Sequence, residues 1–141
     1  MARWMALDIG QKRTGVAVTD PLRIIASPVG YIATNDLKSF LQQYVANEPV
    51  EKIVVGYPRQ MNNTPSDAVK YIEPRVNELK KLYQNIEFVY YDERFTSKMS
   101  FQAMIDGGLS QSQRRNKGLV DQISAVLILQ SFMEYSKNRN L

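Results

Sequence analysis

The strongest constraint on the fold is an acidic residue inside the first apolar segment of the chain, RWMALDI at residues 3–9. Asp8 is followed by the turn GQKR and then by a second apolar segment, TGVAVT at residues 14–19. A glycine with polar neighbours between two apolar runs is typical of a β-hairpin. The chain is therefore expected to begin with two antiparallel strands, with Asp8 at the end of the first.

The rest of the chain continues with strand and helix patterns. Residues 23–33 predict a third strand, which Pro28 restricts to a sheet edge or a bulge. The next segment has apolar residues at helical spacing, with Asn35 or Asp36 placed to cap the helix. A later helix contains Pro74, which is expected to kink or divide it. The predicted strands after the third lie at 51–58 and 86–91, and the predicted helices lie at about 37–48, 69–83, 97–106 and 119–135.

This order of elements predicts an α/β fold with a five-stranded mixed sheet, three antiparallel strands followed by two parallel ones, flanked by helices. The length of 141 residues and the absence of a linker predict one domain over residues 1–141. No apolar run approaches the roughly 18 residues of a membrane span, and the start of the chain lacks the order of a signal peptide. We therefore expect a cytoplasmic protein with no membrane partner.

The chain contains neither cysteine nor histidine. Disulfides, thiol nucleophiles, imidazole bases and zinc sites built on these residues are therefore excluded. Any catalysis must use carboxylates, amines, hydroxyls or a metal ion held by oxygen ligands.

Three acidic residues lie where predicted elements begin or end: Asp8, Glu93 and Asp121. Each also has a structural explanation: a turn residue for Asp8, a solvated charge cluster for the run from Asp92 to Arg94, and a helix-dipole contact of roughly 0.3–1 kcal/mol for Asp121. Asp92 and Glu93 point to opposite faces if their strand is regular, so only one of them can join a shared site. If three carboxylates converge, a divalent cation offsets their repulsion, and ligands that are all oxygen suit Mg²⁺ or Mn²⁺.

The chain has a formal net charge of +4 and a pI near 9.3, which mildly favours a polyanionic partner. A cationic loop rich in Gly, Ser and Gln precedes the last helix and is suited to contacting a phosphate backbone, although solvated surface charge is the ordinary explanation. Two further cations stand four and five residues after Asp8, and another directly follows Glu93. The cations assigned to nucleic-acid binding are Lys12, Arg13, Arg94, Arg114, Arg115 and Lys117.

Four blocks occur in order along nearly the whole chain: ALDIGQKRTGVAVTD, IVVGYPRQMNNT, YYDERFTS and RRNKGLVDQISAVLILQ. Together they resemble the YqgF or RuvX family of small bacterial proteins. The resemblance implies a ribonuclease H-like fold similar to that of RuvC resolvases. It assigns the catalytic and metal-binding carboxylates to Asp8, Glu93 and Asp121, with Arg94 beside them.

Members of this family are described as nucleases for the 5′ end of precursor 16S ribosomal RNA, and alternatively as Holliday junction resolvases. The resemblance thus implies a nuclease dependent on Mg²⁺ or Mn²⁺, with precursor RNA favoured as its partner and branched DNA as the alternative. Actin-like and sugar-kinase ATPases share an opening Asp-x-Gly hairpin, but they need a second domain, for which 141 residues leave no room. A nucleic-acid-binding factor that does not cleave is disfavoured because clustered acids repel phosphate. The choice between RNA and DNA, and between a monomer and a homodimer, stays open at this point.

Overall fold

The computed structural model of the chain describes residues 2–57, 68–92 and 117–139, with the side chains of 122–137 in the last range. The strands are β1 Arg3–Ile9, β2 Arg13–Thr19, β3 Ala26–Ala33, β4 Val50–Tyr57 and β5 Glu87–Asp92. The helices are a short 3₁₀ helix Thr34–Asp36, α1 Leu37–Asn47, α2 Val69–Leu82 and α3 Lys117–Arg139. The predicted helix near residues 97–106 lies outside the described residues.

The strands form one mixed sheet in the order β3-β2-β1-β4-β5. β2 is antiparallel to both β1 and β3, whereas β4 is parallel to both β1 and β5. This arrangement confirms the predicted fold class. Because β1, β4 and β5 are parallel neighbours, their carboxyl ends meet at one edge of the sheet, where open α/β sheets place their ligand sites.

Alternation along β1 divides the core into two layers. Met5, Leu7 and Ile9 pack in the layer formed with α1 and α2, while Ala6 packs in the layer formed with α3. The α3 layer is built from Ala6, Ala17, Ala26, Val54, Ala125, Ile128, Leu129 and Phe132. Small residues predominate on the sheet side of this layer, so α3 can lie close to the strands.

α3 runs against the direction of β1. The ring centroid of Phe132, near the end of α3, lies 5.6 Å from that of Trp4 at the start of β1. Ala125 lies two turns earlier in α3 and belongs to the same layer as Ala6. The fully buried residues of α3 among those described share one face, and Gln130 is exposed.

The turn that ends β1 is held by a network of hydrogen bonds. The Gly10 N–H donates to the Arg13 carbonyl at 2.8 Å, and the Thr34 N–H donates to the Lys12 carbonyl at 2.9 Å. The Thr34 hydroxyl donates to the Gly10 carbonyl at 2.7 Å and lies 2.9 Å from the Thr14 hydroxyl. Because the single hydroxyl proton of Thr34 is used at Gly10, Thr14 must donate to Thr34. This network fixes the backbone immediately after Asp8.

Two predicted details of the strands are resolved. β3 begins at Ala26 rather than near residue 23, because the Asp20 carboxylate accepts the N–H groups of Ile24 and Ile25 and holds them in a loop. The prediction for Pro28 is confirmed: β3 is an edge strand, and its pairing with β2 contains a bulge beside this residue.

The helix predictions need two corrections. Asp36 occupies the N-cap position of α1, but its side chain makes no capping hydrogen bond, and the Asn35 side chain accepts a hydrogen bond from Arg75 instead. Pro74 lies inside α2 without dividing it. None of the described helices has the length and apolar character needed to cross a membrane.

Candidate active site at the carboxyl end of β1

Asp8 is half-buried. It lies two residues after Ala6 on β1, and alternate side chains of a strand share a face, so Asp8 belongs to the sheet face that α3 covers. Its partner on β2 is Gly15. On the other side, β1 and β4 are in register up to Leu7 and Val55, so the next step places Gly56 beside Asp8. Neither of these neighbouring positions carries a side chain.

The same register extends to the two edge strands. Tyr31 of β3 pairs with Gly15, and Tyr91 of β5 pairs with Gly56. We call Tyr31, Gly15, Asp8, Gly56 and Tyr91 the Asp8 row. Neighbouring strands lie about 4.8 Å apart, so the row spans roughly 19 Å with Asp8 at its centre.

The two tyrosines of the row differ in their packing. The Tyr91 hydroxyl lies 2.6 Å from Ser131 Oγ, and its ring centroid lies 5.8 Å from that of Phe132. The Tyr91 side chain therefore packs against α3. Tyr31 retains 45% of its surface exposed. The row is thus closed at the β5 end and open to solvent at the β3 end.

The end of β5 separates the two acids of the DER run. Phe88 and Tyr90 pack against the α1 and α2 layer, and Asp92 shares their parity along β5. Asp92 therefore belongs to the sheet face opposite that of Asp8. Glu93 and Arg94 lie outside the described residues.

α3 begins at Lys117, so Asp121 is its fifth residue rather than part of its first turn. The helix-dipole explanation for this acid is therefore weaker, because that effect falls off within the first turn. From Phe132 back to position 121 is about 16 Å of helix, and from Trp4 forward to Asp8 is about 13 Å of strand. The helix backbone at position 121 accordingly comes near the level of Asp8. The Asp121 side chain lies outside the description.

Of the predicted phosphate-binding cations, some lie within the described residues and others lie outside them. Lys12 is exposed in the turn after β1, and Arg13 begins β2 on the same face as Gly15. Both therefore lie at the Asp8 end of the sheet. Lys117 was predicted in a loop but is the first residue of α3, with its side chain outside the description. Arg114 and Arg115 also fall outside the described residues.

The described part of this site fits a hard divalent cation. Asp8 supplies carboxylate oxygens, and the two flanking glycines leave room for a ligand where a Cβ would otherwise stand. Among the described side chains no cluster of three acids forms a complete metal site, but that set leaves out Glu93 and Asp121. The structure thus contributes one candidate ligand, flanked by two positions without side chains.

The opposite face of the sheet is closed at this end by packed tyrosines. The Tyr57 hydroxyl donates to Glu73 Oε1 at 2.9 Å, and the Tyr57 and Tyr90 ring centroids are 4.7 Å apart in a T-shaped contact. Burial raises the pKa of Tyr90, and the nearby Glu73 carboxylate and Tyr57 add to that rise. The Tyr90 phenol is therefore neutral near pH 7, and its ring packs against that of Tyr57.

A groove of about 990 Å³ lies at the other end of the sheet, lined by Trp4, Lys52 and the loop around Ile24. The Lys52 ammonium lies 4.6 Å from the centroid of the Trp4 ring. Trp4 precedes Asp8 by four residues, or about 13 Å of strand. This groove is therefore separate from the Asp8 row.

Sequence reasoning identified Asp8 but missed Gly15, Gly56 and Tyr31. A glycine inside a strand pattern often marks the close approach of a ligand, and that signal was present at both glycines. Tyr31 had no such signal, because its position depends on pairing across three strands.

The chain is similar to known proteins over nearly its whole length. A family model described as "RuvX: Holliday junction resolvase" matches residues 2–135. A protein of Phocaeicola vulgatus named "Putative pre-16S rRNA nuclease" is 52% identical over 137 residues, covering 97% of this chain and 99% of the relative. A protein of the same name from Parabacteroides distasonis is 47% identical, covering 97% and 98% respectively.

A solved structure of T. thermophilus RuvC in complex with a Holliday junction substrate resembles this chain with a TM-score of 0.59. The two chains are 14% identical, and the match covers 95% of this chain and 97% of RuvC. At that identity the likeness establishes a shared fold, which is the ribonuclease H-like fold expected from the sequence.

Proposed function

The chain belongs to the RuvX family of nucleases, and from this premise we propose that it is a metal-dependent phosphodiester hydrolase whose active site lies at Asp8. The observation that carries the proposal is the setting of Asp8, a half-buried carboxylate that pairs with Gly15 and lies one step beyond the last β1–β4 pair, where Gly56 follows Val55. A carboxylate that only held a turn would gain nothing from two bare neighbours. A ligand that must approach the carboxylate closely requires them.

The proposed catalytic set is Asp8, Glu93 and Asp121. Glu93 has the same parity along the chain as Val89 and Tyr91, which face α3, and position 121 of α3 comes near the level of Asp8. These relations support convergence of the three carboxylates on one side of the sheet. No histidine or cysteine competes as a ligand, so the set favours Mg²⁺ or Mn²⁺.

The proposed side chains have two roles, metal binding and phosphate binding. The carboxylates hold the cation, and Lys12 and Arg13 at the same end supply positive charge for the substrate phosphates. When bound, a divalent cation neutralises the acids, polarises the phosphate and lowers the pKa of a water nucleophile. Arg94, Arg114, Arg115 and Lys117 are proposed as further phosphate contacts.

The proposed substrate is the 5′ end of precursor 16S ribosomal RNA, and the names of the relatives support it. Holliday junction resolution is the second candidate, which the description of the family model favours. Resolution of a junction requires two active sites and thus a homodimer, whereas trimming one RNA end requires only a monomer. Substrate choice and oligomeric state are therefore linked.

The deciding experiment compares cleavage of precursor 16S RNA and of a four-way DNA junction by the purified chain with Mn²⁺ or Mg²⁺. We expect cleavage of the RNA extension by wild type and loss of that activity in Asp8→Asn. Asp20→Asn is the matched control, because it makes the same change in a loop at the other end of β2. Equal activity of wild type and Asp8→Asn would refute the proposed site. Selective cleavage of the junction would refute precursor RNA as the substrate and support Holliday junctions in its place.

A further inference from the structure

An extra residue in β3 decides which face of the sheet Tyr31 occupies. Pro28 pairs with Ala17, which faces α3, but the next pair joins Val16 to Gly30, so the register shifts by one residue. A shift of one residue moves every later side chain to the other face. Without the bulge, Tyr31 would belong to the α1 and α2 face. The bulge places it on the face of Asp8.

Gly30 makes this bulge possible. Its φ is +151°, and a Cβ built on it would meet no heavy atom within 4 Å. Glycine is therefore required here for its backbone conformation and not to make room. Bulges of this kind occur beside functional sites, where they redirect a side chain.

The surroundings of Tyr31 suit a ligand with a flat apolar face. Tyr31 lies two strands from Asp8, or roughly 10 Å between Cα atoms, and Gly15 between them adds no side chain. Arg13 lies on the same face of the intervening strand. Within the described part of the chain, Tyr31 stacks on no other ring, although 45% of its surface is exposed.

We propose that Tyr31 is a stacking platform for an unpaired base of the strand whose phosphate is held at Asp8. Aromatic rings bind single strands by stacking on base faces, and cations between them contact the backbone. In a duplex those faces are covered by neighbouring bases, so stacking on Tyr31 requires an unpaired nucleotide beside the cleaved bond. The site is thereby assigned a substrate that is single-stranded next to the cleaved phosphate.

This inference rests on the proposed function, and binding tests it without cleavage. The Asp8→Asn protein serves as the parent, with short single-stranded RNA and DNA oligonucleotides as probes. Tyr31→Leu keeps an apolar residue on the edge strand but has no ring face, and Tyr31→Phe keeps the ring. Tyr135→Ala is the control, because this tyrosine is similarly exposed, at 46%, but lies on α3 with its ring against those of Tyr91 and Phe132.

We expect Tyr31→Leu to weaken binding of single strands by roughly 5- to 150-fold, the loss of one stacked base. Tyr31→Phe and Tyr135→Ala should bind within about 2-fold of the parent, and binding of a fully paired duplex should not depend on Tyr31. Replacing one nucleotide at a time by an abasic unit locates the contact. At the stacked position the abasic unit should weaken binding to the parent but not to Tyr31→Leu.

The inference is overturned if Tyr31→Leu binds single strands as tightly as the parent, or if every abasic unit costs both proteins the same. Cleavage of the same oligonucleotides by wild type with Mn²⁺ separates this result from the proposed function. Cleavage with no effect of Tyr31 would refute only the stacking contact. An abasic effect that depends on Tyr31, without any cleavage, would refute only the nuclease activity.

Discussion

Among individual residues, Asp8 differs from other described acids in the kind of neighbours it has. Asp20 accepts N–H groups of its own loop, and Glu78 lies 2.9 Å from the Lys38 ammonium in an exposed ion pair. These are ordinary structural uses of a carboxylate. Asp8 is distinguished by the glycines beside it, Gly15 on β2 and Gly56 one position beyond the last β1–β4 pair. The glycines beside this acid therefore indicate a function more strongly than the acid does by itself.

The turn after Asp8 tolerates no side chain at Gly10. A Cβ at this position would lie 2.7 Å from the Arg13 backbone carbonyl, which is closer than real Cβ contacts. Gly10→Ala is therefore expected to lower the free energy of unfolding by about 1–3 kcal/mol, as overpacked sites do. Urea denaturation measures the loss. The exposed neighbour variant Gln11→Ala should stay within about 0.5 kcal/mol of wild type, and equal stability of the two variants would contradict this account.

The loop at the other end of β2 predicts a pH dependence. The Ile25 N–H, together with those of Ile24 and Leu22, holds the pKa of Asp20 below its ordinary value of 3.8. Because the folded pKa is the lower one, Asp20 stabilises the fold above pH 3.8 and loses that contribution as the pH falls through its folded pKa. The difference in Tm between wild type and Asp20→Asn should therefore shrink below this pH. A difference that stays constant from pH 6 to pH 2 would refute the prediction.

The elements show what local sequence patterns can and cannot specify. Alternation and helical spacing located β1, β2, β4, β5 and α1 to within about two residues, because each buries a regular apolar face. The pattern failed at Ile24 and Ile25, whose β-branched side chains resemble a strand while Asp20 holds their backbone in a loop. At Pro74, where a kink or a division was expected, Ile72 and Val76 remain buried and α2 is not divided.

α3 is the element on which the site most depends. Its distance from the sheet is set by contacts of Ala125 with the layer that contains Ala6 and Ala17, all with 0% exposure. Local patterns predict an apolar helix, but they do not specify how closely it approaches β1. The proposed meeting of Asp8 and Asp121 depends on that approach.

Ala125→Leu tests this dependence. The larger side chain must push α3 away from the sheet, with an expected loss of about 1–3 kcal/mol in the free energy of unfolding. In the folded fraction, cleavage should fall further than binding of the nucleic acid, because the carboxylates are separated while the cations remain. Gln130→Leu places the same leucine on the exposed side of the same helix, where it displaces no packed neighbour, and should preserve cleavage. Unchanged cleavage in Ala125→Leu would show that the helix position is not critical.

At the scale of the whole molecule, the kind of sheet was predictable, and the site only partly so. Three antiparallel strands followed by two parallel ones were expected from the order of the elements, since neighbouring strands in sequence pair readily and parallel strands need helical crossovers. The pairing of β4 with β1 was not predicted. Asp8 stood out because a charge at the end of a buried strand requires an explanation. Gly15, Gly56 and Tyr31 join it only through registers spanning the full width of the sheet, which no local pattern encodes.

Convergence of three carboxylates would make the whole fold less stable without metal, because each charge disfavours the others and all lose hydration. Asp8→Asn keeps the shape of the side chain and removes one charge, so it should melt above wild type in chelator. It should also lose the stabilisation by Mn²⁺, which reaches about 2.7 kcal/mol at 100 times the dissociation constant and raises Tm by several degrees. Asp20→Asn should keep the full Mn²⁺ response. If Asp8 only holds a turn, Asp8→Asn will melt at or below wild type in chelator, and Mn²⁺ will shift both proteins equally or not at all.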